Sequence, residues 1–344
     1  MSPRPRSGIR RVFRTEAPGL GDRVTVRRRV PGTRQVTDVI GHIVALEPLT
    51  VRPQEVGGLP SNAEAVVIDR AQLVTVRLLP ERTVRNGDIR AVEVATARAF
   101  PGIEHSLSSD GQWLLRAGDG VTERSNSAAP LGPQAGFGAV PLDEILAFYA
   151  RHSMPAIIQV PERIARPAER LAAGPEWEWG PEILVMTRPL DDAAPAATLP
   201  EGFTFEVDAA PDEEWYSLYH FRGQALPRHA LELLRGDIDG TMSFGRIRAA
   251  DGRTAAITRG TVTADDAGRS WLGLSAVEVS PDFQRHGLGR AITAGMLAWG
   301  AGAGAGQAFL QVVHTNTAGI RLYRSAGFAE HHRHRYAHRR ATSG

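Results

Sequence analysis

Residue type and spacing come nearest to a binding chemistry in Ala276-Val277-Glu278-Val279-Ser280-Pro281-Asp282-Phe283-Gln284-Arg285-His286-Gly287-Leu288-Gly289-Arg290. A β-branched run ends at Pro281, a turn with two glycines follows, and a helix opens on the stripe Leu288, Ile292, Met296, Trp299. The first turn of a helix leaves its backbone N–H groups unpaired and pointing outward. Glycine at 287 and 289 removes the Cβ atoms that would hold a ligand off that backbone. The result is a cradle for phosphate or pyrophosphate, which Arg285 and Arg290 can supplement. An ordinary strand–helix turn accounts for the same residues, so this pattern alone leaves both readings open. It is not the dinucleotide fingerprint, because Ile292 stands where a third glycine is required. Nor is it a Walker A loop, because the chain contains no lysine.

Other chemistry is excluded or weaker. There is no cysteine, which removes thiol nucleophiles, disulfide scaffolds, iron–sulfur centres and Cys-ligated zinc. All 40 basic residues are arginine, so Schiff-base and lysine-base catalysis are also excluded. His331, His332, His334 and His338 lie among arginines near the chain end, without a His-Glu-x-x-His pattern. They read as a last strand and a solvated tail, and no metal is expected. Arg259 either faces a pocket or points to solvent. Arg124, Asn126 and Ser127 read as stabilising residues, with a surviving pocket that shapes access to a site as the alternative.

The elements that position these groups fall into three regions. Residues 20–82 carry five short β-rich pieces separated by Pro, Gly and Asn turns, which predicts a small SH3-like all-β barrel whose first role is packing. Residues 87–190 alternate helical and strand patterns: a helix over 88–99, strands over 113–116 and 124–128, a helix over 143–151, strands over 156–160 and 182–186 around a helix over 162–173. Residues 191–202 are small, polar and twice interrupted by proline, and read as a linker. Residues 203–340 repeat the element order, with strands over 203–207, 242–248, 254–262, 271–279 and 308–313, helices over 288–303 and 318–325, and a short final strand at 335–337. The fold class is α/β (α+β), with mixed central sheets after the small barrel.

A length of 344 residues suits two or three domains, and a 42% hydrophobic content suits real cores. The net charge of +2 gives no general attraction to nucleic acid. Ten arginines between Arg4 and Arg34 fit either a nucleic-acid arm or a solvated terminus leading into a basic strand; the second is preferred, and no nucleic-acid partner is expected. Residues 1–14 are basic with no apolar region behind them, which argues against a signal peptide. The 23 uncharged positions 291–313 are broken by Gln307, Gln311 and a glycine tract, so no membrane partner is expected and the location is expected to be cytoplasmic. The oligomeric state is left open.

Two motifs together carry a family resemblance. Gln284-x-x-Gly287-x-Gly289 resembles the R/Q-x-x-G-x-G/A motif of the GCN5-related N-acetyltransferase (GNAT) superfamily, and Asn316-Thr317-Ala318-Gly319-Ile320-Arg321-Leu322-Tyr323-Arg324-Ser325-Ala326-Gly327-Phe328 resembles its N-x-x-A-x-x-L-Y-x-x-x-G-F signature, with Gly319 in place of the commoner alanine. Over residues 20–340 the chain is similar to an actinobacterial subfamily with an SH3-like N-terminal domain, a degenerate first GNAT-like domain (Trp113–Arg116 and Arg124–Ser127) and an intact second one. The resemblance implies acetyl-CoA as cosubstrate, lying in a splay between the fourth and fifth strands. The backbone of Val277 and Val279 would pair with the pantetheine amides, the N–H groups of Arg285, His286, Gly287, Leu288, Gly289 and Arg290 would hold the pyrophosphate, and Gln284 would belong to the same cofactor-binding set. Asn316 would fix the pantetheine arm, and Tyr323 would protonate the leaving thiolate.

The implied activity is N-acetyl transfer from acetyl-CoA to an amine, on a small molecule or a protein, by direct attack in a ternary complex. Such a transfer needs an unprotonated amine, a donor for the developing oxyanion and an acid for the sulfur. Glu278, His314 and a water chain all stand as routes for the amine proton, with Glu278 the side-chain candidate. Tyr323 also fits a buried structural tyrosine, and Asn316 a helix N-cap. The alternative from a different class is a non-catalytic acyl-CoA-binding adaptor.

Overall fold

The computed structural model describes residues 12–190, 198–221 and 223–340. The arginines before residue 12 and positions 191–197 of the expected linker lie outside the described residues. The chain divides into two compact units, Met1–Val84 and Arg85–Gly344.

In the first unit, β1 (Arg23–Arg29), β2 (Val36–Leu46), β3 (Leu49–Pro53), β4 (Val66–Val67) and β5 (Leu73–Leu78) form one antiparallel sheet in the order β4-β3-β2-β1-β5. Its inner face is β-branched: Val24, Val26, Ile43, Val51 and Ile68 are buried together. Arg23 is buried too, and its guanidinium donates to Gln54 Oε1 at 2.6 Å, the Pro80 carbonyl at 3.0 Å and Thr83 Oγ1 at 3.2 Å.

The second unit opens with α1 (Asn86–Ala99), β6 (Glu104–Leu107), β7 (Trp113–Ala117), β8 (Ala129–Pro130), α2 (Leu142–Arg151), β9 (Ile157–Pro161), α3 (Arg166–Leu171), β10 (Trp177–Trp179) and β11 (Ile183–Pro189). It continues with β12 (Phe203–Asp208), α4 (Glu213–Leu218), β13 (His220–Phe221), β14 (Gln224–Ala225), α5 (Arg228–Leu233), β15 (Gly240–Ala249), β16 (Thr254–Ala264), β17 (Ser270–Val279), α6 (Leu288–Gly302), β18 (Gln307–Val313), α7 (Thr317–Ser325) and β19 (Ala329–Arg339). Nine strands make one mixed sheet, β10-β19-β11-β18-β17-β16-β15-β12, with β9 also paired to β19. Strands from residues 87–190 and from 203–340 therefore share hydrogen bonds: β11 lies between β18 and β19, pairing Ile183–Pro189 with Val313–Gln307.

Small residues let the helices approach this sheet. A Cβ on Gly260 would lie 2.3 Å from Met296 Cε of α6, and one on Gly245 2.7 Å from Met296 Sδ. On the next residue along β16 the side chain faces the other way, so Arg259 and Thr263 reach α1: Thr263 Oγ1 donates to the Ala95 carbonyl at 2.9 Å. Ala91, Val92 and Ala95 of α1 pack on Val185, Trp271 and Phe309.

Three expected elements differ. Positions 124–128 are not a strand: Glu123–Ser125 is a 3-10 turn closed by Asn126, whose Oδ1 accepts from the N–H of Gly118 at 2.8 Å and of Gly120 at 3.0 Å. The helix expected over 162–173 is confined to Arg166–Leu171, since Pro167 fits only a first helical turn. The last strand is far longer than 335–337 and is mostly buried, so the histidine-rich run is no solvated tail. Its polar side chains have partners: His332 and His334 meet Glu93 of α1, and Arg333 meets Glu330 and Glu182.

Candidate active site

Strands β17 and β18 are parallel neighbours only from Trp271–Gln307 to Leu274–Leu310. Beyond that point they separate, and the cause lies in β17. Its pairing with β16 shifts register opposite Thr258, so that Ala276 and Val277 occupy the space of one residue, with Ala276 at φ +53°. An extra residue bends a strand and breaks its pairing. The bulge also breaks side-chain alternation, which is why Val277 and Glu278 both line the gap that opens.

That gap is a cavity of about 540 Å³. Glu278, Asn316 and Tyr323 line it, as do Ser275, Gln311 and Tyr336. Burial holds the Glu278 carboxyl above the ordinary carboxylate range, partly offset by His220. The Tyr323 phenol is pushed up to about 12, first by burial and then by the Glu278 charge. Its ring packs edge-on against Phe328, with centroids 6.2 Å apart. Asn316 caps α7, accepting from the Gly319 N–H at 2.9 Å, while its side chain is exposed to the cavity mouth. His314 turns elsewhere, with Nδ1 3.3 Å from the Glu182 carbonyl.

Past Ser280 a 3-10 turn over Pro281–Phe283 leads into α6. Arg285 and Gly287 both have positive φ, +67° and +76°, and Gly287 is the left-handed N-cap of α6. The first backbone bonds of this turn run from the N–H groups of Arg290 and Ala291 to the Gly287 carbonyl, at 3.0 and 3.1 Å. The amides of residues 285–289 precede that ladder and donate to no backbone carbonyl among the described residues. Gln284, Arg285, His286, Gly287 and Arg290 are exposed, whereas Leu288 is buried and anchors the turn in the core. His286 Nδ1 lies 2.9 Å from the Gln284 carbonyl and so buttresses the loop. A Cβ on Gly289 would meet Leu322 Cδ2 at 3.2 Å, and Val279 packs beside it.

Three lining groups escaped the sequence reading. Ser275 Oγ, Gln311 Nε2 and the Tyr336 hydroxyl are buried with no hydrogen-bond partner among the described residues. The Tyr336 phenol is raised chiefly by burial. Nothing in the sequence marks these residues; only the bulge and the long β19 bring them to one cavity. Arg124 lines it too, whereas Asn126 and Ser127 are structural, as expected: Ser127 Oγ accepts from buried Arg116 at 3.1 Å.

The histidine run yields a second group. Glu93, His332 and His334 are fully buried, with ligand atoms within 4.8 Å of one another. Glu93 Oε1 accepts from His332 Nε2 at 2.8 Å and lies 3.0 Å from His334 Nδ1, while Oε2 accepts from Gln159 at 2.6 Å. Burial opposes ionisation of Glu93, but His334 and His332 together hold its carboxyl well below the ordinary range. The cluster ties α1 to β19 by hydrogen bonds.

Family models match both units. One described as "Probable histone acetyltransferase Rv0428c C-terminal" matches residues 86–337, and one described as "Rv0428c N-terminal Sm-like domain" matches residues 18–77. The chain belongs to this family. The Probable histone acetyltransferase Rv0428c of Mycobacterium tuberculosis (strain ATCC 25618 / H37Rv) is 35% identical over 322 residues, covering 93% of this chain and 95% of that protein. The Uncharacterized N-acetyltransferase YobR of Bacillus subtilis (strain 168) is 26% identical over 252 residues, 71% of this chain and 97% of that protein. Among solved structures, a GCN5-related N-acetyltransferase from Kribbella flavida superposes with TM-score 0.55 at 16% identity, covering 73% of this chain and 95% of its own. A tandem GNAT protein from the clavulanic acid biosynthesis pathway gives 0.50 at 16% identity, over 73% and 89%. At that identity the likeness speaks to fold alone.

The family is therefore GNAT-type, and the chain is an acetyltransferase of mixed α/β fold. One expectation is corrected: the N-terminal domain is Sm-like rather than SH3-like. Strand number and turn spacing, on which that expectation stood, do not separate one small five-stranded β domain from another. No helix among the described residues is long and apolar enough to cross a membrane.

Proposed function

We propose that the chain transfers the acetyl group of acetyl-CoA to an amine, using one site between β17 and β18. The observation that carries this reading is the end of the parallel pairing at Leu274–Leu310, with Glu278, Asn316 and Tyr323 lining the gap beyond it. The residues suit the cosubstrate. Amides 285–289 precede the helical ladder and suit a pyrophosphate, supplemented by Arg285 and Arg290. The open edge of β17 at Val277 and Val279 suits the pantetheine amides, and Asn316 suits its arm. The bound thioester would supply the activated acetyl group.

The chain's own residues divide the remaining work. Glu278, with its pKa raised by burial, is suited to take a proton from the amine nitrogen through its carboxylate. Tyr323 keeps its proton at any working pH and is suited to donate it from the phenol oxygen toward the sulfur. The unpartnered Ser275, Gln311 and Tyr336 groups supply further polar contacts on the acceptor's side of the gap. The degenerate character of residues 87–190 and the packing role of the N-terminal domain belong to the same reading.

Calorimetry with acetyl-CoA, paired with a thiol-release assay across an amine panel that includes a histone-tail peptide, tests it. Binding together with acceptor-dependent release supports transfer. Tight binding with no release from any acceptor would make the chain an acyl-CoA-binding adaptor.

A further inference from the structure

A second cavity, of about 890 Å³, adjoins the first, and the two share Arg124 and Tyr219 in their walls. Arg259 of β16 lines it while being only 1% exposed. Its Nε donates to the Leu234 carbonyl at 2.8 Å and its Nη2 to the Ala99 carbonyl at 3.1 Å. Nη1 is buried with no partner, and among the described residues no carboxylate pairs with this guanidinium. Arg124 is half-buried beside it: both guanidinium carbons lie over the Phe100 ring, at 4.5 and 4.8 Å from its centroid.

A buried cation without a counter-ion costs several kcal/mol, and a second cation nearby adds to the cost. Burial, and then Arg124, lower the Arg259 pKa from its ordinary value. The acidic residues of the cavity do not relieve this. Asp119 Oδ1 is taken by Asn126 Nδ2 at 2.6 Å and by the Val121 N–H at 3.0 Å. Asp266 pairs with Arg98 at 2.8 Å, and Asp237 and Asp239 are exposed at the rim. The remaining wall is largely apolar, with Ile103, Leu114, Leu131 and Leu233 among its residues.

We infer that this cavity binds an amine that carries one free carboxylate and an apolar body, with the carboxylate on Arg259 and Arg124 and the amine directed past Tyr219 toward Glu278. The single free Nη1 of Arg259 suits a monoanion better than a phosphate dianion, and the apolar wall suits a hydrophobic substituent. As an assignment of the acceptor's class, this rests on the acetyl-transfer reading above.

The test compares phenylalanine and leucine with their carboxamides, as ligands by calorimetry and as acceptors by thiol release, in wild type, Arg259→Met and Arg124→Gln. The amides are the more readily deprotonated amines, so a preference for the acids cannot come from amine reactivity. The expected result is about a 10- to 100-fold preference in kcat/KM for the acids, carried by KM and lost in both variants. Arg124→Gln keeps the test sound if Arg259→Met does not fold. Equal use of acids and amides overturns the proposal, as does transfer only to a histone-tail peptide with kinetics that neither variant changes. Absence of both binding and transfer also overturns it. Arg259-dependent binding of the acids without release from any acceptor supports the carboxylate site and overturns the transferase reading instead.

Discussion

Replacing Tyr323 by Phe removes one oxygen and little else. The ring keeps its edge-on packing against Phe328, and no hydrogen bond within the described residues is lost with the hydroxyl. The size of the effect follows from the pKa. A phenol at about 12 faces a thiol whose ordinary value is about 8.5, so complete proton transfer to a released thiolate would be uphill by about 5 kcal/mol. On the proposed reading the phenol would therefore act as a hydrogen-bond donor to sulfur while the C–S bond breaks, and not as an acid that hands over its proton early. A hydrogen bond to a developing charge contributes about 1.5–3 kcal/mol, which is roughly 10- to 150-fold in rate. Tyr323→Phe is thus expected to lower kcat by that factor while changing the acetyl-CoA dissociation constant less than about threefold. Single-turnover thiol release gives the chemical step and calorimetry gives the affinity. The same reasoning predicts no alkaline limb from this phenol below about pH 10. An unchanged single-turnover rate would refute the donor role, and a limb near pH 8–9 that disappears in the variant would refute the pKa argument.

Glu278→Gln should lower kcat/KM and abolish the limb that rises through the raised carboxyl's own pKa, while any limb at the acceptor amine's pKa stays; an unchanged carboxyl limb would move the base elsewhere. Gly287→Ala meets no atom within 4 Å, so its cost lies in the backbone: φ +76° is expected to cost about 1 kcal/mol in thermal unfolding and to weaken acetyl-CoA binding at least tenfold, as calorimetry would show. His331 is pushed down to about 3 by burial and then by His332, so between roughly pH 6.5 and 3 the unfolded chain binds the extra proton. Stability is therefore complete above pH 6.5 and falls with acidification by up to about 1.4 kcal/mol per pH unit, and His331→Leu should flatten that slope in urea titrations at pH 6.5 and 5.

What was legible in the sequence was local. The β-branched run into Pro281, the Gly287-x-Gly289 turn and the amphipathic stripe behind it fold as read, because turn chemistry and helical period act over a few residues. Asn316 caps α7, as its place ahead of Ala318 predicts, and it also lines the cavity. Two features were not legible. The bulge at Ala276, which opens the gap, carries no glycine or proline to announce it. The run Ala329–Arg339 looks too polar for a core strand, and its burial becomes tolerable because residues far away in the chain supply partners: Glu93 for His332 and His334, and Glu182 for Arg333. Arg259 could not be judged from its neighbours in sequence either, since its burial depends on Phe100 and Arg124.

The sheet pairing also bears on where the chain can be cut. Reading element order alone places a boundary between residues 190 and 203, yet β11 forms a seven-residue ladder with β18, and β19 takes β9, β10 and β11 as partners. A fragment of residues 203–340 would lose every one of those partners and expose the inner edges of β18 and β19. It would also lose Glu93, leaving His332 and His334 buried without their acceptor, and Glu123, Arg124, Pro181 and Ile183 from the cavity wall. Unpaired strand edges and unsatisfied buried polar groups are each destabilising on the scale of a domain's whole stability. The fragment 203–340 is therefore expected to show no cooperative thermal transition and no acetyl-CoA binding, whereas residues 85–340 keep both. A cooperative transition in the shorter fragment, with acetyl-CoA affinity equal to that of the full chain, would show that β18 and β19 can pair without β11 and that the first half of the sheet is dispensable.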